Sequence, residues 1–164
     1  MAAIAFTMLS QPLWTGYGDA YHKKDFMWIR LTFNRLLKLS VILSVGLIIM
    51  LICQEFVFRL WLKGRVEVNY TTAILFILFY IFQMLAGIYE PFINATNKLT
   101  VQIRVLIFSV PLFIPATIYL VKYLNLGANG ILIALLVFSS VPSTILAFIQ
   151  SKKILEGAKG IWNK

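Results

Sequence analysis

The chain has 164 residues, 60% of them hydrophobic and 13% charged, and a formal net charge of +9. Soluble domains are about 45–50% apolar and about 25% charged, so this composition excludes an ordinary soluble globule. The bases stand at the ends of apolar runs, which favours membrane topology over nucleic acid as the reason for the positive charge. The single cysteine leaves no disulfide framework within one chain.

The N-terminal part predicts the end of one membrane span and a connection to the next. Residues 1–14 are apolar but too few to cross a hydrocarbon core that needs about 20 residues. We expect them to end a span that begins before Met1. Residues 15–38 follow as a cytoplasmic loop and a basic interfacial helix, for which Asp25 is placed as the N-cap.

The rest of the chain predicts an all-α polytopic membrane protein, forming one transmembrane domain over residues 1–164. Its four complete spans are expected at residues 39–62, 71–93, 103–123 and 128–151, and a tail follows at residues 152–164. Residues 125–130 contain two glycines and two asparagines and predict a turn. The first loop and the tail carry most of the Lys and Arg residues, so the positive-inside rule predicts a cytoplasmic C-terminus.

The loop before the first complete span has some residues that are typical of a functional site, but no complete motif. Gly16 and Gly18 lack the third glycine of a dinucleotide motif, since the residue at position 21 is a tyrosine. His22 has no second histidine at helical spacing to complete a zinc pair. We therefore predict no catalytic residue, no metal site and no cofactor, and we interpret the glycines as a flexible turn.

Acidic groups inside the spans are the sharper candidates, because a carboxylate in a membrane is costly. Glu55 lies one helical turn before Arg59, where the two side chains can pair. This spacing fits either an ion pair at the outer interface or a role of Glu55 in ion coupling. Glu90, just before Pro91, is a weaker candidate of the same kind.

Two further patterns concern helix shape and packing. Pro111 and Pro115 each remove a backbone donor, which fits either a plain kink or a broken helix beside a transport cavity. Ser139 and Ser143 form a small-xxx-small pair suited to close helix packing.

Three segments together resemble one family. The segment Pro12–Asp25 (PLWTGYGDAYHKKD), the segment Pro91–Lys98 (PFINATNK) and the segment Leu126–Gly130 (LGANG) occur in that order. They are similar to a loop, an inner loop and the opening of the last span in bacterial O-antigen and capsule repeat-unit flippases. These flippases belong to the MATE-like multidrug, oligosaccharidyl-lipid and polysaccharide superfamily. Residues 95–97 depart from the pattern, since glycines are usual there.

The resemblance implies a two-lobe transporter of the bacterial cytoplasmic membrane that works by alternating access and is not an enzyme. Its cargo would be a polyprenyl-pyrophosphate-linked oligosaccharide, and its partners membrane lipids and a further N-terminal lobe of the same protein. This chain alone is then expected not to flip lipid. Basic side chains near the path of the cargo through the transporter would stabilise its pyrophosphate by charge-assisted hydrogen bonds. The candidates are Arg35 and Arg104 from the inner side and Arg59 from the outer side, although all three also fit simple topology signals.

Other functions remain open at this point. A cation-coupled multidrug exporter of the same superfamily would use acids within its spans, for which Glu55 and Glu90 are available. A membrane-embedded polysaccharide polymerase or transferase would need a catalytic cluster, usually in a larger outer loop. A scaffold or assembly subunit is a third alternative.

Overall fold

The computed structural model describes residues 6, 8, 12–62, 69–158 and 160–163, without the side chains of residues 58, 59, 61, 62 and 163. It is 88% helical, and no strand occurs in the described residues. The helices are α1 Leu13–His22, α2 Phe26–Ile52, α3 Gln54–Leu62, α4 Tyr70–Ala95, α5 Thr100–Ile118, α6 Ala128–Leu135 and α7 Val141–Leu155. A π turn at Tyr119–Tyr123 extends α5, a second at Leu136–Ser140 joins α6 to α7, and a 3₁₀ turn covers Gly160–Asn163.

Four helices are long and apolar enough to cross a membrane, which confirms a helical chain of the multi-pass membrane type. They run over Phe26–Ile52, Tyr70–Ala95, Thr100–Tyr123 and Ala128–Leu155. Most of their surface is not covered by the bundle, and the apolar window of Thr100–Tyr123 has no buried residue at all. Exposed apolar side chains of this kind are suited to hydrocarbon, since lipid tails are as apolar as leucine.

The first span has different bounds from those predicted. The sequence predicts an interfacial helix ending at residue 38 and a span over 39–62, whereas α2 is continuous from Phe26 to Ile52. A turn at Cys53 then separates α2 from the short α3. The 27 residues of α2 already extend about 40 Å at 1.5 Å each, more than the hydrocarbon core. The bases on α2 do not stop the helix, because long cationic side chains reach outward from it.

The glycine loop is helical rather than a flexible turn. α1 passes through Gly16 and Gly18, and the indole of Trp28 would lie 3.1 Å from a Cβ atom at Gly16. The absence of a side chain at Gly16 therefore allows Trp28 of α2 to pack closely against α1. The predicted cap is confirmed, since the backbone N–H of Trp28 donates to Oδ1 of Asp25 at 3.0 Å. Lys24 has φ +58° and makes the sharp turn between the two helices.

The central helix is α4, which packs against α1, α2, α6 and α7. An aromatic cluster joins it to the first two helices: the ring of Tyr17 lies 5.6 Å from that of Phe33 and 5.8 Å from that of Phe92. Tyr17 and Phe92 are fully buried. Edge-to-face and tilted ring pairs at this distance add to the stabilisation that burial provides.

Polar contacts fix which helix ends meet. At one end, Nζ of Lys98 donates to the hydroxyl of Tyr21, and Nε2 of Gln150 donates to the backbone carbonyl of Lys98. At the other end, Oγ1 of Thr72 donates to Oδ1 of Asn129 at 2.7 Å. We call the first of these the basic end, because the turn after α1, the start of α2, the α4–α5 turn and the end of α7 lie there with their Lys and Arg residues.

The turn predicted at residues 125–130 is confirmed. Asn125 and Gly127 have φ +51° and +52°, a conformation that Asn and Gly adopt most readily. α6 then begins at Ala128. α5 is continuous through Pro111 and Pro115 and passes directly into its π turn, so neither proline breaks the helix.

Candidate functional site

A groove of about 550 Å³ lies between α4, α5 and the last span, and it is the main candidate site. Much of its wall is apolar, as expected for helices of this composition. Six polar side chains also line it, contributed by all three spans. They are Glu90 and Asn94 from α4, Gln102 and Ser109 from α5, and Ser139 and Ser143 from the last span.

Helical spacing explains how each helix presents its polar pair to the groove. Glu90 and Asn94 are four residues apart, as are Ser139 and Ser143. Residues at this spacing share one face of a helix, as do residues seven apart such as Gln102 and Ser109. The groove therefore has polar residues along three adjoining helix faces, next to faces that suit lipid.

The π turn at Leu136–Ser140 shapes one wall of the groove. It lies in the middle of the last span and carries Ser139. The hydroxyl of Ser143 donates to the backbone carbonyl of Ser139 at 2.7 Å, so it satisfies a backbone acceptor within the same helix. Single π turns inside helices are rare and occur frequently at functional sites.

The predicted role of Ser139 and Ser143 in close packing is not what the structure shows. Their neighbours Ser140 and Thr144 are the buried residues, while Ser139 and Ser143 face the groove. Oγ1 of Thr144 lies 2.7 Å from the backbone carbonyl of Ser140 and 3.0 Å from that of Phe82 in α4, so it shares its proton between its own helix and α4. The packing face is therefore one residue further along the helix than the small-xxx-small pattern indicated.

Arg35, Arg104 and Glu55, which were predicted as site residues from the sequence, do not line this groove. Arg35 and Arg104 are exposed near the basic end, on α2 and α5 respectively, and Glu55 is exposed in the first turn of α3. The side chain of Arg59 lies outside the described residues. A pyrophosphate contact for the arginines and an ion-coupling role for Glu55 stay predictions. Glu90 is instead the acidic residue that lines the groove.

A second and smaller cavity, of about 340 Å³, lies on the other side of α4, between α2 and α7. We call it the basic cleft. Its polar lining consists of Arg30, Asn34, Tyr89, Ser151, Lys152 and Glu156. The sequence alone signalled none of these as a site, although Arg30 and Asn34 share one helix face by their spacing.

Tyr17 is the most buried titratable group outside the membrane-spanning helices. Burial raises the pKa of its phenol, and the phenol of nearby Tyr89 contributes in the same direction. Its hydroxyl has no hydrogen-bond partner among the described residues. His22, by contrast, is exposed at the end of α1. Within the described part of the chain, no group of three or more His, Cys, Asp or Glu residues is arranged to hold a metal ion.

The fold and the groove define a helical, multi-pass membrane protein. No protein-family model, curated protein or solved structure matches this chain. The function is therefore inferred from the groove, together with the resemblance of the three segments.

Proposed function

We propose that this chain is part of a transporter that flips polyprenyl-pyrophosphate-linked oligosaccharides across the bacterial cytoplasmic membrane, together with a further N-terminal lobe. The basic end faces the cytoplasm in this proposal, in accord with the positive-inside rule. The observation that carries the proposal is the polar groove between membrane-spanning helices. The three segments that resemble polysaccharide flippases support the same cargo.

The polar lining supports a path for a polar cargo. Polar side chains inside a bilayer are costly and rare, and they occur mostly where they face a bundle interior or a water-filled cavity. Six of them meet in one groove here, next to exposed apolar surface. An oligosaccharide follows the groove while its polyprenyl tail remains in the surrounding lipid.

The chemistry of the lining suits the sugar part of the cargo more than its pyrophosphate. The polar groups are two side-chain amides, three hydroxyls and one carboxyl, all of which are able to form hydrogen bonds with sugar hydroxyls. The groove lining contains no Lys or Arg from the described residues. The pyrophosphate then contacts bases at the basic end, where Arg35 and Arg104 remain the candidates.

Glu90 favours a second candidate function, the export of cationic amphiphilic drugs. A largely apolar pocket with one carboxyl is the usual chemistry for binding an organic cation. The groove combines Glu90 with apolar side chains such as Phe113 and Phe138. The two candidates differ in which groove residue they require, so substitutions separate them.

Binding to the purified chain in nanodiscs tests the proposal without requiring complete transport. The probe is a fluorescent polyprenyl-pyrophosphate oligosaccharide, measured against polyprenyl pyrophosphate without the sugar. The double variant Asn94→Leu/Gln102→Leu removes two amide partners. At about 1 kcal/mol for each hydrogen bond, it should weaken oligosaccharide binding by about thirtyfold. Binding of the sugar-free lipid should change little.

The matched control is Gln83→Leu, which removes an exposed amide from α4 outside the groove. It should leave both affinities unchanged. Glu90→Gln should weaken binding of a cationic dye by at least tenfold if the groove exports cations, and oligosaccharide binding much less. The flippase proposal is refuted if Asn94→Leu/Gln102→Leu binds the oligosaccharide as well as Gln83→Leu does.

A further inference from the structure

The basic cleft differs from the groove in charge and position. Arg30 stands near the start of α2, and Lys152 stands in the last turn of α7. Both line the same cavity of about 340 Å³. Tyr89 of α4 lines this cavity, whereas the next residue, Glu90, lines the groove. The helix α4 therefore separates the two cavities.

One buried polar group in the lining of the cleft, the hydroxyl of Ser151, points to a ligand. Ser151 is 1% exposed, and its hydroxyl has no hydrogen-bond partner among the described residues. An unsatisfied buried hydroxyl costs about 1–3 kcal/mol, so a ligand that accepts its hydrogen bond would remove that cost. Asn34 adds amide donors to the cleft and Arg30 adds guanidinium donors.

The balance of charge in the cleft favours an anion. Arg30 and Lys152 outweigh the one acidic residue of the lining, Glu156. The carboxylate of Glu156 lies 4.0 Å from Nζ of Lys153, which partly neutralises it. Arginine forks and lysine ammonium groups both bind phosphate oxygens well.

We infer that the basic cleft binds a phosphate group, most suitably the headgroup of an anionic phospholipid at the membrane surface. Basic pockets between transmembrane helices are typical sites for such headgroups. Phe33, Phe148 and Leu155 form the apolar part of the lining, and Phe148 is 50% exposed. An acyl chain attached to the phosphate therefore has apolar surface to follow between α2 and α7. This inference does not depend on what the groove transports.

The test measures lipid selectivity of the purified full chain by native mass spectrometry. The probes are short-chain phosphatidylglycerol, the matched zwitterionic phosphatidylcholine, and inorganic phosphate. The double variant Arg30→Gln/Lys152→Gln should lose about thirtyfold in phosphatidylglycerol affinity, at about 1 kcal/mol for each base. The control Lys23→Gln/Lys24→Gln removes two exposed bases from the basic end outside the cleft, and should lose less than threefold.

Three outcomes decide the inference. Equal losses in the two double variants would show that only the general surface charge matters, and would overturn it. Equal affinity for phosphatidylglycerol and phosphatidylcholine in the unchanged protein, with no binding of inorganic phosphate, would overturn it as well. Inorganic phosphate that binds with the same dependence on Arg30 and Lys152, and displaces phosphatidylglycerol, would support the site and identify the free anion as its ligand.

Ser151→Ala distinguishes a binding role of Ser151 from a structural one, because it is expected to change lipid affinity without changing stability. Removing an unpartnered buried hydroxyl should not lower the stability of the lipid-free protein, because no hydrogen bond inside the chain is lost. It should weaken phosphatidylglycerol binding by at least about tenfold, the fold-change that corresponds to one hydrogen bond to a charged group. Unchanged binding in Ser151→Ala would remove Ser151 from the site. Unchanged binding in both Ser151→Ala and Arg30→Gln/Lys152→Gln would overturn the inference.

Discussion

Replacing Gly130 with alanine is expected to destabilise the bundle, because its position in α6 is in direct contact with the backbone of the preceding π turn. A Cβ atom at Gly130 would lie 3.1 Å from the backbone carbon of Leu120, from its Cβ atom and from the backbone nitrogen of Val121. Favourable contacts between carbon atoms are about 3.5–4.0 Å. Two of these three atoms are backbone atoms, which cannot move away by changing a rotamer.

The magnitude follows from two opposing effects. Inserting a methyl group into a well-packed region costs about 1–3 kcal/mol, whereas alanine gains up to about 1 kcal/mol over glycine in a helix. The net cost for Gly130→Ala is therefore about 1 kcal/mol. A Cβ atom at Gly46 in α2 would have no neighbour within 4 Å. Gly46→Ala should therefore show only the stabilisation that alanine provides over glycine in a helix. Gly130→Ala should lower the free energy of unfolding and Gly46→Ala should raise it, so the two variants should differ by about 2 kcal/mol.

Reversible unfolding in mixed micelles, followed by far-ultraviolet circular dichroism, measures this difference. Gly130→Val provides a graded check, since its two additional methyl groups should cost more than the one of alanine. The reasoning is refuted if Gly130→Ala is as stable as Gly46→Ala. It is also refuted if the valine variant is no less stable than the alanine variant.

Three further predictions concern polar groups and orientation. The one proton of the Thr144 hydroxyl is shared between the backbone carbonyl of Ser140 at 2.7 Å in its own helix and that of Phe82 at 3.0 Å in α4. Thr144→Val should therefore lose at most about 0.6 kcal/mol of unfolding free energy, the average for a hydrogen bond between membrane helices. Ser143→Ala, which loses only a bond within its own helix, should lose less in the same unfolding assay. Burial raises the pKa of the Tyr17 phenol above the ordinary value of 10.0, so the folded state keeps this phenol neutral. In the unfolded chain the phenol loses its proton as the pH rises above 10.0, so the folded state becomes less stable relative to the unfolded state. Tyr17→Phe should therefore lose less stability than the unchanged protein between neutral and strongly alkaline pH, and equal losses would contradict this. Cys53, exposed opposite the basic end, should react with a membrane-impermeant maleimide added outside intact cells. A cysteine placed at Lys23 in a Cys53→Ser background should react only after permeabilisation, and the reverse pattern would invert the proposed orientation.

The spans were predictable because they depend on composition along a continuous segment. The span predicted over 71–93 corresponds to the helix Tyr70–Ala95, and the span predicted over 128–151 corresponds to the helical segment Ala128–Leu155. Hydropathy and length determine such segments almost independently of tertiary contacts. The turn at 125–130 was equally local, since it depends on residues that tolerate positive φ.

The helix boundaries around the first span are less predictable, because a charged residue does not by itself mark the end of a helix. The bases between Arg30 and Lys38 indicated a separate surface helix, yet α2 continues through them. Side chains of Lys and Arg extend far enough to leave the hydrocarbon while the backbone remains helical. The helical conformation of Gly16 is also hard to predict, because its close packing against Trp28 depends on a tertiary contact that the local sequence does not show.

The polar lining of the groove was only partly predictable. The spacing of Glu90 and Asn94, or of Ser139 and Ser143, places each pair on one helix face and was available from the sequence. Which faces meet depends on how α4, α5 and the last span pack, and three separate helices contribute to the groove. The sequence favours Glu55 over Glu90 as the acid of a site, whereas the packing of the helices leaves Glu55 exposed and places Glu90 in the lining of the groove.

The position of α4 makes the two proposals independently testable. Glu90 and Tyr89 are adjacent in the chain but line different cavities, because successive residues on a helix point about 100° apart. A substitution on one face of α4 therefore changes one cavity and leaves the lining of the other in place. If Asn94→Leu/Gln102→Leu keeps the oligosaccharide affinity while Arg30→Gln/Lys152→Gln loses phosphatidylglycerol, the flippase proposal fails and the phosphate site stands. The opposite pair of results would support the groove as the oligosaccharide site and leave the cleft without a ligand.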